Sequence, residues 1–181
     1  MPTSPAILGG GCFWCLDAVF RQIQGVTGVE CGYTGGQVQN PGYRAVCQGT
    51  TGHAEVVKIS YDASRISYRD LLGIFFALHD PTTLNRQGND IGPQYRSSIF
   101  IQDDDQLAIA KSVIAELTSA QTFANPIVTT LETAGPYYPA EPYHQNYFAH
   151  NPEQAYCAAV VAPKVAKMRQ RFLSRWYINP D

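Results

Sequence analysis

An α+β fold follows from three features of the sequence. Apolar or alternating segments near Ala6–Leu8, Val29–Tyr33, His53–Tyr61 and Ser97–Ile101 read as strands. Segments with apolar residues at helical spacing, 13–23 and 67–79, fall after the first strand and after the third. The order strand–helix–strand–strand–helix–strand matches the split βαβ, ferredoxin-like arrangement, here with a mixed sheet. A further helix and an extended, irregular C-terminal wrap are added to that core.

Each element has a local reason. Ala6-Ile7-Leu8 is a short buried strand, and Gly9-Gly10-Gly11 breaks it. Phe13, Leu16, Val19, Phe20 and Ile23 then recur at helical spacing, and Gly25 suits a left-handed C-cap. Val29, Cys31 and Tyr33 alternate as a strand that Gly35-Gly36 ends; residues 37–52 read as a long loop. From His53 to Tyr61 the alternation sets Glu55, Val57, Ile59 and Tyr61 on the more apolar face. Ser67 with Asp70 three residues on is a variant capping box, and Leu71, Leu72, Phe75 and Leu78 form the face of the helix it starts. His79-Asp80-Pro81 ends that helix, and residues 82–94 are a second polar loop. Ser97 to Ile101 is the next strand. Asp103-Asp104-Asp105 suits the start of a helix with Leu107, Ala110, Ile114 and Leu117 as its buried stripe. Ile127 to Leu131 is a last strand candidate. The aromatic stretches 136–139 and 142–145 wrap the core, because side chains this apolar demand burial. Residues 164–172 form a short basic helix.

The chain of 181 residues suits one catalytic domain, 1–181, with 1–5 and 173–181 peripheral. A formal charge of −2 without a basic run argues against nucleic acid. No apolar run is long enough to span a bilayer, and no signal peptide is visible, so the expectation is a cytoplasmic monomer without a membrane. The five cysteines are Cys12, Cys15, Cys31, Cys47 and Cys157; an odd number at irregular spacing fits catalysis or redox cycling better than a disulfide framework.

Cys12 falls at the mouth of the first helix, where unpartnered N–H groups favour a thiolate. Phe13 and Trp14 follow it as an apolar wall. Cys12-x-x-Cys15 also occurs in thioredoxin-like sites and as half of zinc sites, but no second pair or suitably spaced His completes a metal set here. Glu55, heading an apolar strand face, is expected to be partly desolvated with a raised pKa. Tyr43, Tyr95 and Asp90 can complete a site around a reactive cysteine.

Four ordered motifs, spread over about residues 7–164, carry a resemblance. Gly11-Cys12-Phe13-Trp14, Gly32-Tyr33-Thr34-Gly35-Gly36 with Tyr43-Arg44, Gly52-His53-Ala54-Glu55, and Gln87-Gly88-Asn89-Asp90 with Gln94-Tyr95-Arg96-Ser97 resemble the peptide methionine sulfoxide reductase A family. The resemblance implies reduction of the S epimer of methionine sulfoxide, in oxidised proteins and as the free amino acid. It implies Cys12 as nucleophile, Glu55 as the acid that protonates the sulfoxide oxygen, and Phe13 and Trp14 as the methyl pocket. Tyr43 and Tyr95 would bond the oxygen, with Asp90 close by. Cys157 resembles the resolving cysteine; Cys15 departs from the glycine common at that place and competes as resolving or shuttle thiol. Cys47 and Cys31 read as structural. Thioredoxin, or dithiothreitol in its place, would be the reductant, with no metal or organic cofactor. Two rivals remain at this point: a dithiol–disulfide oxidoreductase using Cys12 and Cys15, and a non-catalytic module that binds methionine or its sulfoxide.

Overall fold

A computed structural model describes residues 3–177. Its centre is a six-stranded sheet in the order β7-β6-β1-β3-β2-β8. The strands are β1 (Ala6–Gly9), β2 (Val26–Thr34), β3 (Ala54–Tyr61), β6 (Ser98–Ile101), β7 (Thr130–Thr133) and β8 (Tyr137–Pro139). Along β6-β1-β3-β2 each strand runs antiparallel to its neighbour, and β7 joins β6 in parallel, which makes the sheet mixed. A two-residue ribbon, β4 (Arg86–Gln87) with β5 (Asp90–Ile91), stands apart.

Strand alternation divides the interior. Leu8, Val57, Ile59, Ile99, Cys31 and Tyr33 face the main core under the helices α1 (Phe13–Phe20) and α3 (Tyr68–Leu78). Ile7, Ala54, Val56 and Phe100 face the other way into a smaller cluster that Tyr137 packs against. Ser67 caps α3 with both bonds of a capping box, its hydroxyl accepting from the Asp70 N–H and its own N–H donating to the Asp70 carboxylate.

Several expectations need correction. The first helix ends at Phe20, not Gly25: Ile23 turns inward to bridge with Trp176, and Gly25, at φ +92°, makes the turn into β2 instead. The loop 37–52 contains a short helix, α2 (Tyr43–Cys47). On α4 (Asp104–Ser119) Ala110 is buried and Ile114 and Leu117 pack against the core as expected, but the other fully buried residues are Gln106 and Val113. Gln106 goes under because its amide donates to the carbonyl of Pro5 while its oxygen accepts from the Gln102 N–H. The last core strand starts at Thr130 rather than Ile127.

The C-terminal wrap holds β8 against β2, then α5 (Tyr147–His150), a π-helical turn (Cys157–Val161) and α6 (Ala162–Arg171). Beyond β8 the Gln145 side chain acts as a strand would, accepting from the Cys31 N–H at 2.8 Å and donating to its carbonyl at 3.0 Å. Near the end of the described chain Trp176 is buried, and the Gln24 amide donates to its carbonyl, while Leu173 and Tyr177 are exposed. Residues 1–2 and 178–181 lie outside the described residues.

Candidate active site

The β1–β3 pairing assembles the site. The antiparallel register sets Leu8 opposite Val57; carried two residues further, it brings the head of β3 level with the glycines that leave β1. Glu55 and Cys12, 43 positions apart in the sequence, thereby become neighbours. Cys12 is the N-cap of α1 and partly exposed. The Phe13 N–H, first in that helix, donates to Glu55 Oε2 at 3.4 Å. Glu55 is buried, and burial raises its pKa to about 8; the Phe13 N–H opposes the rise and Asp90 adds to it. The carboxyl group is therefore mainly protonated at neutral pH.

The expectation of a Cys12 thiolate is overturned for the substrate-free molecule. Desolvation, then the Glu55 charge, push the Cys12 thiol well above its ordinary value. The backbone N–H at the helix mouth lowers it but is outweighed by burial and by the neighbouring Glu55 and Cys15. Thiol and acid thus wait in their neutral forms, each held there mainly by burial.

Around this pair the other expected residues converge. Tyr43, on α2, and Tyr95, after β5, both lie within electrostatic reach of Glu55 and Cys12. Burial is the main cause of their raised pKa values, so both hydroxyls keep their protons as donors. Cys47, at the end of α2, neighbours both tyrosines, a placement that its sequence setting did not signal.

Phe13 and Trp14 do different work. Phe13 is fully buried, stacked against Tyr43 at 6.5 Å between ring centroids. Trp14 is half-buried; Tyr147 stacks on it at 3.9 Å and Tyr156 meets it edge-on at 5.9 Å. Its indole N–H donates to His144 Nδ1 at 3.1 Å. Glu141 accepts from the Tyr33 hydroxyl and from the Tyr43 N–H. The Tyr156 hydroxyl donates to Asp90 Oδ2 at 2.6 Å, tying the C-terminal segment to the β4–β5 ribbon. Sequence reasoning named none of Glu141, His144, Tyr147 and Tyr156 for the site; their signal was the aromatic density of 136–156.

Two of the thiols lie together. Cys15 and Cys157 are both buried in one small apolar cluster with Ala18 and Val161, to which Cys12 does not belong. Burial raises Cys15 to about 11, with Lys164 opposing. Cys157 heads the π-helical turn Cys157–Val161. Cys31 packs in the main core. All five cysteines are free thiols. Among the described residues no cluster of His, Cys, Asp and Glu could hold a metal ion, and no helix is long and apolar enough to cross a membrane.

A thiol at a helix mouth, a buried acid beside it and a second pair of thiols define a thiol-dependent oxidoreductase. The family model for peptide methionine sulfoxide reductase matches residues 4–176. The peptide methionine sulfoxide reductase MsrA of Polynucleobacter asymbioticus is 59% identical over 93% of this chain and 89% of its own. That of Ralstonia nicotianae is 57% identical over 94% and 91%. Among solved structures, reduced Mxr1 of Saccharomyces cerevisiae superposes with a TM-score of 0.77 at 34% identity, covering 85% of this chain and 88% of that one. The same yeast protein in complex with Trx2 gives 0.54 at 25% identity, over 80% and 84%. The chain belongs to the peptide methionine sulfoxide reductase A family, and its activity is the reduction of methionine sulfoxide.

Proposed function

We propose that the protein reduces the S epimer of methionine sulfoxide, in oxidised proteins and as the free amino acid, through Cys12 and Glu55. The observation that carries this reading is the buried Glu55, protonated near neutrality and bonded to the peptide beside Cys12. A sulfoxide oxygen leaves poorly until protonated, so an acid with a raised pKa is the partner the reaction needs. Glu55 passes its proton to the oxygen, with the Tyr43 and Tyr95 hydroxyls donating to the same atom and Asp90 close by. The carboxylate so formed takes the Cys12 proton as the sulfur attacks. The attack joins the Cys12 sulfur to the substrate sulfur; the protonated oxygen then passes to Cys12, so that the substrate S–O bond and the new S–S bond break, a Cys12 S–O bond forms, two electrons pass from Cys12 to the substrate, and methionine leaves a sulfenic acid behind. Phe13 and Trp14 form the wall for the methyl group.

The sulfenic acid is resolved by Cys15, three residues on at the same helix end: its thiolate attacks, water leaves, and a disulfide forms. Cys157, packed in the cluster of Cys15, then exchanges with it and carries the recycling disulfide, which frees Cys12. A dithiol protein reduces that disulfide. Thioredoxin is the reductant we assign, supported by the yeast relative's complex with Trx2, with dithiothreitol as its laboratory substitute and no organic cofactor. A reducing cytoplasm suits five free thiols. One domain acting as a monomer is the simplest unit for this cycle.

The test is turnover of the separate S and R epimers of a methionine sulfoxide peptide with dithiothreitol. Reduction of the S epimer alone, abolished in Cys12→Ser, is expected. Turnover of the R epimer, or activity that survives Cys12→Ser, would overturn the proposal.

A further inference from the structure

The three glycines before Cys12 each face a side chain from a different part of the fold. A Cβ on Gly9 would lie 2.7 Å from the Ser98 hydroxyl, and one on Gly10 would lie 3.1 Å from the His79 ring. A Cβ on Gly11, at φ +90°, would lie 2.6 Å from Gln87 Cγ and 2.8 Å from its Cβ. The approach to the nucleophile is thus backbone laid directly on side chains.

Two of those side chains are themselves clamped. His79 is buried, and burial lowers its pKa to about 4, so the ring is neutral. Nδ1 meets the Phe75 carbonyl at 2.6 Å, which can only accept, so the ring proton sits there. Nε2 therefore accepts from the Ser97 hydroxyl at 2.7 Å, and Ser97 accepts in turn from Thr129 at 2.7 Å. Gln87 is buried on β4, and its side-chain amide closes a pair of bonds with the backbone of Asp80. Oε1 accepts from the Asp80 N–H at 3.1 Å, and Nε2 donates to the Asp80 carbonyl at 3.0 Å. That pair aligns the Gln87 stem against Gly11. The next peptides carry Cys12 and then the N–H that binds Glu55.

We propose that Gln87 and His79 are positioning residues for the reduction, holding Gly10 and Gly11 so that the Cys12 sulfur and the Glu55 carboxyl keep one fixed relation. The proposal rests on the assignment of Cys12 as nucleophile. Both side chains are buried and act through the backbone of the loop, and Gln87 does so from the ribbon that also carries Asp90. Misplacing a reacting atom by a fraction of an ångström slows the chemical step while leaving the binding wall intact.

The test compares Gln87→Ala and Gln87→Met in the full chain, reading kcat and KM for the sulfoxide and, separately, the pH midpoint of Cys12 alkylation followed by peptide mass spectrometry. Gln87→Ala is expected to lower kcat about tenfold with KM within about twofold. The loosened loop admits water to the sulfur, so the alkylation midpoint falls by about half a unit or more. Gln87→Met keeps Cβ and Cγ against Gly11 but loses the pair with Asp80, and is expected to recover part of both effects. Unchanged kcat and midpoint in folded Gln87→Ala, or a loss as deep in Gln87→Met, would overturn the proposal. If Gln87→Ala does not fold, Gln87→Leu, whose branch at Cγ presses on Gly11, must show the kcat loss and a shifted midpoint, or the proposal fails. Alkylation needs no sulfoxide. Turnover surviving Cys12→Ser would therefore remove the nucleophile assignment, while the midpoint still judges the packing.

Discussion

Glu55 is held in the fold at a cost to stability that depends on pH. Its folded pKa of about 8 lies above the ordinary carboxylate value, so between those limits the native state binds a proton that the unfolded chain has released. Stability then falls as pH rises through that window. Glu55→Gln, which keeps an oxygen for the Phe13 N–H and cannot ionise, should raise the Tm. The gain over the parent protein should widen from pH 5 to pH 8. A gain that shrinks with rising pH would mean that Glu55 is stabilised as the anion. His79 has the opposite sign: with a pKa lowered to about 4, its contribution is lost as pH falls below the ordinary histidine range. Of the single residues, Cys12 and Glu55 were readable from a helix start and an alternating strand. The protonation of Cys12 was not, because it depends on a carboxyl group 43 positions away and on burial that only the folded sheet creates.

Among the elements, those defined by short-range chemistry were legible. The capping box of α3 and the alternation of β3 are local signals, and both appear as read. Elements decided by distant partners were not. On α4 the burial of Gln106 was not, since that side chain is drawn under by the backbone near Pro5 rather than by its own polarity. The first helix stops where Trp176, more than 150 residues on, claims Ile23. The wrap itself is secured by Gln145, whose amide occupies both backbone groups of Cys31. Gln145→Ala leaves the Cys31 N–H without that acceptor and should cost about 1–3 kcal/mol, the penalty of an unsatisfied buried donor. Urea unfolding measures it; a loss well below that range would show that the edge of β2 finds another partner or water.

At the scale of the whole molecule, one main core gathers side chains from Ala6 to Trp176, so the strands that place Cys12 and Glu55 and the wrap that carries Cys157 are built on common packing. That continuity supports reading the chain as one cooperative unit. It also explains why the site lies where first and last segments meet. β1 delivers the thiol, β3 delivers the acid, and the C-terminal segment returns over Trp14 with Tyr147, Tyr156 and the thiol of Cys157. Membership of the reductase family sets aside a plain binding module and a simple dithiol exchanger. What distinguishes the proposed mechanism from any other use of these thiols is the buried acid. The most direct measurement is therefore the single-turnover rate of methionine formation from the S sulfoxide at neutral pH, in the parent protein and in Glu55→Gln, with substrate affinity followed alongside. The mechanism predicts a loss of roughly 10²–10⁴-fold in rate with affinity nearly unchanged. A Glu55→Gln protein that forms methionine at the parental rate, or that loses rate and affinity in equal measure, would contradict it.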